Sequence, residues 1–232
     1  MLNRPEGPRY DAETQRAGSA AQQAGLGRPG QAFANTKLGF GWKEKDTGQL
    51  VYEFAGGLVS QQVGGRSEVF PWARITQVTR IGRHETKNGR YACTQFNYKV
   101  TRDDGAVMEL KGSYVSPNRS SRADPESYGA RFNKFGDFVA QRVSSMKLPG
   151  ARGALARGET LTFGLIKINA DGVVFKSGVV AWSQIREVQL RDGDLRIFQI
   201  DKRLALTGGP VSTIPNLPLF LTLVDEARMK TR

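Results

Sequence analysis

Apolar positions along this chain fall into two series of the same form. In the first, Leu50-Val51-Tyr52-Glu53-Phe54 reads as a strand, Gly56-Gly57 as a tight turn and Leu58 to Gln62 as the returning strand. Further on, Ala92, Thr94, Phe96, Tyr98 and Val100 alternate with the more polar Cys93, Gln95, Asn97 and Lys99, the period-two pattern of a half-buried strand. Asp103-Asp104-Gly105 supplies a hairpin turn, and Ala106, Met108 and Leu110 continue the inward face. The period then changes. Tyr128, Phe132, Phe135, Val139, Val143 and Met146 recur at helical spacing, with Asp124 placed to cap and Pro125 at the first position. A second stripe of small residues, Gly129, Asn133, Gly136 and Ala140, runs beside it, either for close backbone approach or tolerated on an exposed face.

The second series repeats this plan in shorter form. Thr160 to Asn169 supplies a strand, Asp171-Gly172 turns, and Val173 to Phe175 follows. Leu195 and Ile197 alternate with Arg196 and Phe198, Asp201-Lys202 turns, and Leu204 to Leu206 returns. Ile214-Pro215-Asn216-Leu217-Pro218 opens a last helix, with Asn216 as its cap and Leu217, Phe220, Leu221 and Val224 on its buried side. A short signature marks the same place in both series: Trp72, Ile75 and Val78 in FPWARITQV, and Trp182, Ile185 and Val188 in VVAWSQIREV. Spacing of three and three is not strand alternation, so each signature predicts a single turn or bulge feeding a strand, with the tryptophan as a core anchor. Such internal repetition decides the architecture.

Strands followed by one helix, twice over, imply an α+β chain of two modules rather than a βαβ sheet. In each, one amphipathic helix would close the open end of a small bent antiparallel sheet or barrel. The expected boundaries are residues 35–147 and 155–232, with 148–154 as a linker because Pro149, Gly150 and Gly153 interrupt the helical period. Residues 1–34, rich in Gly, Ala, Gln, Pro and Arg, show no apolar face to bury and are expected to form a disordered leader, or a docking peptide that orders on binding.

Charge adds a partner class. The net charge is +12, which favours anionic partners such as nucleic acid, an acidic membrane surface or an acidic protein, and also serves solubility. A single cysteine, Cys93, excludes an internal disulfide framework and fits a reducing compartment. No apolar run approaches the roughly 18 residues of a membrane span and no signal-peptide core is evident, so a cytoplasmic location is expected.

The segments YEFAGGLV, FPWARITQV, NGRYACTQFNYKV and RDDG, then LARGETLTFG, DGVVF, VVAWSQIREVQL, RDGDLRI and IPNLPLF, resemble a family of bacterial proteins known as a domain of unknown function with tandem pleckstrin-homology-like modules. The resemblance covers roughly residues 36–228. It implies that fold and carries over no catalytic residue.

Candidate chemistry is sparse. His84 is the only histidine, so a His/Cys metal cluster is excluded, and no tight Asp/Glu spacing replaces it. A Cys93–His84 nucleophile pair lacks any group to orient it. GGRSEV and LTGGP lack the strand–loop–Lys–helix context of a phosphate loop. No catalysis, metal or cofactor is expected. The binding candidates are basic loops: Arg74, Arg80, Arg83, Lys87 and Arg90 after the first signature, and Lys37, Lys43 and Lys45 around Trp42. Acidic neighbours Glu44, Asp46 and Glu85 dilute both groups. Two functions follow: a non-catalytic interaction module for a protein or peptide, recognised through a sheet edge, or a peripheral binder of anionic lipid or nucleic acid.

Overall fold

A computed structural model describes residues 8–39, 44–191 and 193–231. Among these, three α-helices and four small antiparallel sheets make a mixed α+β structure. The chain divides into two units: residues up to Thr76 with Gly82–Asp137, and Gln77–Ile81 with Phe138 onward.

In the first unit, helix α1 (Pro8–Gln23) precedes strands β1 (Pro29–Leu38), β2 (Glu44–Phe54), β3 (Gly57–Gln62) and β4 (Ser67–Pro71), which form a four-stranded meander. A single 3-10 turn, Trp72–Arg74, follows. Strands β5 (Ile75–Lys87), β6 (Arg90–Arg102) and β7 (Val107–Tyr114) then form a three-stranded sheet, and helix α2 (Tyr128–Ala156) comes last, with Gln77–Ile81 of β5 and α2 from Phe138 onward belonging to the second unit. The second series has the same order. Strands β8 (Leu161–Phe163), β9 (Ile166–Ile168), β10 (Gly172–Phe175) and β11 (Gly178–Ala181) form a four-stranded meander, Trp182–Gln184 a 3-10 turn, β12 (Ile185–Arg191), β13 (Asp194–Gln199) and β14 (Ala205–Pro210) a three-stranded sheet, and α3 (Leu217–Lys230) a closing helix.

The two signatures make these equivalences explicit. Trp72 donates its indole N–H to the carbonyl of Ala55 at 3.1 Å, and Trp182 donates to that of Asn169 at 3.2 Å. Both rings are buried, at 4% and 2% exposure. Gly57 lies across the ladder from Pro71 and Gly172 from Ala181. A Cβ on either glycine would strike the facing backbone, Phe70–Pro71 in one case and Val180–Ala181 in the other. The 3-10 turn breaks the extended chain, and the strands on either side fall into different sheets, with no closed barrel among the described residues. In the first unit, Asn35 bridges the gap. Its buried side-chain amide donates to the Glu109 carbonyl at 2.7 Å and accepts from the Lys111 N–H at 2.9 Å, standing in for a strand's peptide group along β7.

Several expectations change. Part of the segment expected to be a disordered leader forms α1 and the start of β1. Ala17 and Ala21 let the helix lie close to the sheet, and with Tyr10 and Leu26 they cover Ala32, Ala34, Leu50, Tyr52, Phe54 and Val59. Alanines carry little hydrophobic signal, which is why no apolar face is legible there. Residues 148–154, expected to be a linker, continue α2 through Pro149. Leu148, Ala151 and Leu155 pack on the core of the second unit, offsetting the loss of proline's backbone hydrogen bond. The helix also starts later than the Asp124 cap implies: Ser127 accepts the Ala130 N–H, while Asp124 closes a turn by accepting from Glu126.

The small-residue stripe is buried, so close approach is the reading that applies. A Cβ at Gly129 would collide with the Ser113 carbonyl, and one at Gly136 with the Tyr98 ring. Beside them, Tyr98 donates to Asp137 at 2.6 Å. Phe132 and Phe135 stack on Phe33 of β1 at 4.6 and 4.9 Å, which completes this core.

In the second unit, Phe163, Ile166, Ile168, Val173, Trp182 and Leu195 pack against Leu219, Phe220, Leu223 and Val224 of α3. Asn216 occupies the cap position in a left-handed conformation and offers no side-chain cap. Its Oδ1 accepts from the Val78 N–H at 2.9 Å, while its own N–H donates to the Val78 carbonyl at 2.8 Å. The stretch expected as one strand from Thr160 to Asn169 is a hairpin, β8 and β9, turned at Gly164.

Candidate binding surfaces

Among the described residues, the basic candidates read from the sequence fall on β1, β2, the first 3-10 turn and the β5–β6 hairpin. Arg74 leaves the 3-10 turn at the head of β5 and makes a two-toothed contact with Asp103, its Nη2 at 2.7 Å, with Asp104 at 3.6 Å. Hydrogen bonding to Asp103, then its charge, raises the pKa of the Arg74 guanidinium. Arg80 is half-buried within β5, and Arg83 pairs with Glu85 at 3.0 Å. At about 3.3 Å per residue, the two ends of this 13-residue strand lie roughly 40 Å apart. Only Lys87 and Arg90 come together, at the tip of the β5–β6 hairpin, where Asn88 and Gly89 take positive φ. Lys37 and Lys45 face each other across the β1–β2 ladder as exposed like charges. Trp42 and Lys43 lie outside the described residues.

A cleft of about 420 Å³ opens in the first unit between the ends of these strands and the start of α2. Leu38, Glu44, Lys87, Cys93, Ser113 and Tyr128 line it. The Glu44 carboxylate accepts from the Ser113 hydroxyl and from its N–H, the latter at 3.2 Å. Burial pushes the Cys93 thiol pKa up, and the Glu85 and Glu44 carboxylates push it further, so the thiol stays protonated near neutral pH. His84 is engaged elsewhere, its Nδ1 bonded to the Thr94 hydroxyl at 3.0 Å. That hydroxyl also meets Tyr91 Oη at 2.8 Å, and Tyr91 Oη accepts from the Ser116 N–H at 2.8 Å. These bonds tie His84 of β5 to Tyr91 and Thr94 of β6 and to Ser116 after β7. Among the described residues, no group of three or more His, Cys, Asp or Glu is placed to hold a metal ion.

The second unit presents a different surface. Of the eleven large hydrophobic residues exposed among the described residues, nine belong to it, and only Val63 and Val107 to the first. Leu165 in the β8–β9 turn is 82% exposed and Leu204 in the β13–β14 loop 83%. Val179 on β11, Leu190 at the end of β12, Ile200 after β13 and Met229 near the end of α3 extend the set. A second cleft, of about 770 Å³, runs between the end of α2 and α3 over Leu155, Leu223 and Ala227, with the Arg152–Glu226 ion pair at its rim. None of this was selected from the sequence, because an exposed leucine in a strand or turn reads like a buried one. The partial signal was position: Leu165 follows Gly164, and Leu204 follows a run of charged turn residues.

With four small antiparallel sheets and three helices, no helix among the described residues is long and apolar enough to cross a membrane. Residues 45–232 match the model of a family of unknown function designated DUF6585, and the chain belongs to that family. No curated protein and no solved structure matches it.

Proposed function

We propose that this protein is a non-catalytic interaction module, a tandem of pleckstrin-homology-like copies that recognises a protein or peptide. The order of four strands, a tryptophan turn, three strands and a helix, repeated with the same indole bond, supports the tandem reading. The observation that carries the partner class is the concentration of exposed large hydrophobics on the second unit. Surfaces of that kind gain free energy from apolar burial, which proteins offer and polyanions do not. The basic candidates speak less for an anionic surface, since Arg74 and Arg83 are already ion-paired and β5 spreads the rest along its length.

The test is a comparison of the intact protein with Leu165→Ser/Leu204→Ser in partner capture, beside vesicle and DNA binding across a salt series. A partner held by the wild type and lost by a variant of unchanged melting temperature is expected, with vesicle and DNA binding that vanishes by about 0.15 M salt, where charge screening is strong. Tight vesicle or DNA binding at that salt, with the same partners recovered by the variant, would replace this reading with anionic-surface binding.

A further inference from the structure

The two copies differ in how they treat one equivalent sheet edge. β4 and β11 each form one edge of a four-stranded meander. In the first copy that edge is guarded twice. Arg102 donates from Nη1 to the outward carbonyl of Val69 at 2.5 Å, with its guanidinium 5.0 Å from the Phe70 ring centroid, and Phe70 is fully buried. Two residues on, Pro71 has no N–H to offer a passing strand. Cations and prolines at such positions are how sheets refuse a further strand.

The second copy has neither guard. Shared cross-strand glycines place Val180 where Phe70 stands and Ala181 where Pro71 stands, so Val179 corresponds to Val69. The Ile200 N–H bonds to the Gln184 carbonyl as the Asp103 N–H bonds to that of Arg74, so Gln199 corresponds to Arg102. Among the described residues no side chain bonds to the Val179 carbonyl. Val180 is only partly buried, and Val179 is 46% exposed. The N–H and C=O of Val179 and the N–H of Ala181 therefore face outward without the guards found in the first copy.

Resting on the interaction-module reading, we propose that the outer edge of β11 is a strand-addition site for an extended, acidic segment of a partner protein. An added strand would set an apolar side chain beside Val179, continuing the outward row of Lys167, Val174 and Val179. Acidic character follows from charge. Lys176, in the turn leading into β11, and Lys167 are exposed and make no ion pair among the described residues. The chain's +12 net charge opposes a second copy of itself as the occupant.

The test uses the full chain and an acetylated hexapeptide alternating valine with glutamate, beside its lysine counterpart. The glutamate peptide should slow amide hydrogen exchange at Val179 and Ala181 at least tenfold, and the lysine peptide should not. Ala181→Pro/Gln199→Arg transplants both guards. Ala181 already has φ −61°, close to the −59° of Pro71, so the proline fits without backbone change. This variant should bind the peptide at least tenfold more weakly at unchanged melting temperature. The converse variant, Pro71→Ala/Arg102→Gln, should gain protection at Val69, which keeps the idea testable if the first variant folds poorly. Equal peptide binding by wild type and guarded variant, or protection confined to other amides, would overturn the edge site. Protection at Val179 that rises with protein concentration alone would assign the edge to a second copy and overturn the acidic partner. A guarded variant that still captures the wild-type partner removes the edge site and leaves the interaction-module reading in place.

Discussion

Trp72 and Trp182 show what a repeated residue does when its role is architectural. Each residue is buried and each indole N–H is satisfied by a backbone carbonyl, so both tryptophans serve the fold. Trp182→Ala should lower unfolding stability by about 3–5 kcal/mol, the range for emptying a buried aromatic site, as read by urea denaturation. A variant of wild-type stability that has lost partner binding would instead put Trp182 on a recognition surface. Polar residues matter as much at this scale. Asn35 and Asn216 each use a side-chain amide where a backbone strand would otherwise bond, at Glu109 and Lys111 in one case and at Val78 in the other.

Among the elements, α1 is the one whose removal is most informative. Through alanines and Tyr10, with Leu26 just beyond it, α1 covers Leu50, Tyr52, Phe54 and Val59, and Tyr10 donates to Asp46 while Glu13 accepts from the Gly64 N–H at 3.2 Å. Deleting residues 1–26 should expose that sheet face, lowering the melting temperature and raising binding of an apolar dye. A truncated chain that melts like the full one would show that α1 contributes nothing to the first unit. Elements with strong periodicity were legible in advance: the β6–β7 hairpin from its alternation, and the body of α2 from Tyr128 to Val143. Those whose formation rests on tertiary contact were not. α1 packs through alanines, and α2 continues through Pro149 while Leu148, Ala151 and Leu155 pack on the core beneath them. The basic candidates illustrate a related point. Sequence shows where charges are, but not that Arg74 and Arg83 are each paired with a carboxylate.

For the molecule as a whole, charge couples stability to pH on the acidic side. Hydrogen bonds from Arg74 hold the Asp103 carboxyl below its usual range, and those from Arg102 bring Asp104 down to about 2. Arg152 acts likewise on Glu226. A carboxyl whose pKa is depressed on folding contributes stability that is complete above the unfolded value, about 3.9 for aspartate, and is lost as pH falls through the folded one. Melting temperature should therefore decline between about pH 4 and pH 2, with an Asp104 carboxyl titration by NMR centred near 2. A midpoint near 4 would show that the Arg102–Asp104 pair does not persist in solution.

Duplicated chains carry a hazard during synthesis, since equivalent pieces can trade places before either unit is complete. The paired hairpins here are unlike in their turns. β3 and β4 are joined through residues 63–66, whereas β10 and β11 are joined through Lys176 and Ser177 alone. Ladder register is tied to turn length, and a shift of one residue would send every side chain to the wrong face. The shorter hairpin therefore cannot reproduce the reach of the longer one, and a misplaced copy would leave part of the receiving ladder unpaired. β3 pairs with β4 over five residue pairs and β10 with β11 over four, so an exchanged hairpin would leave a mismatched ladder beside each tryptophan.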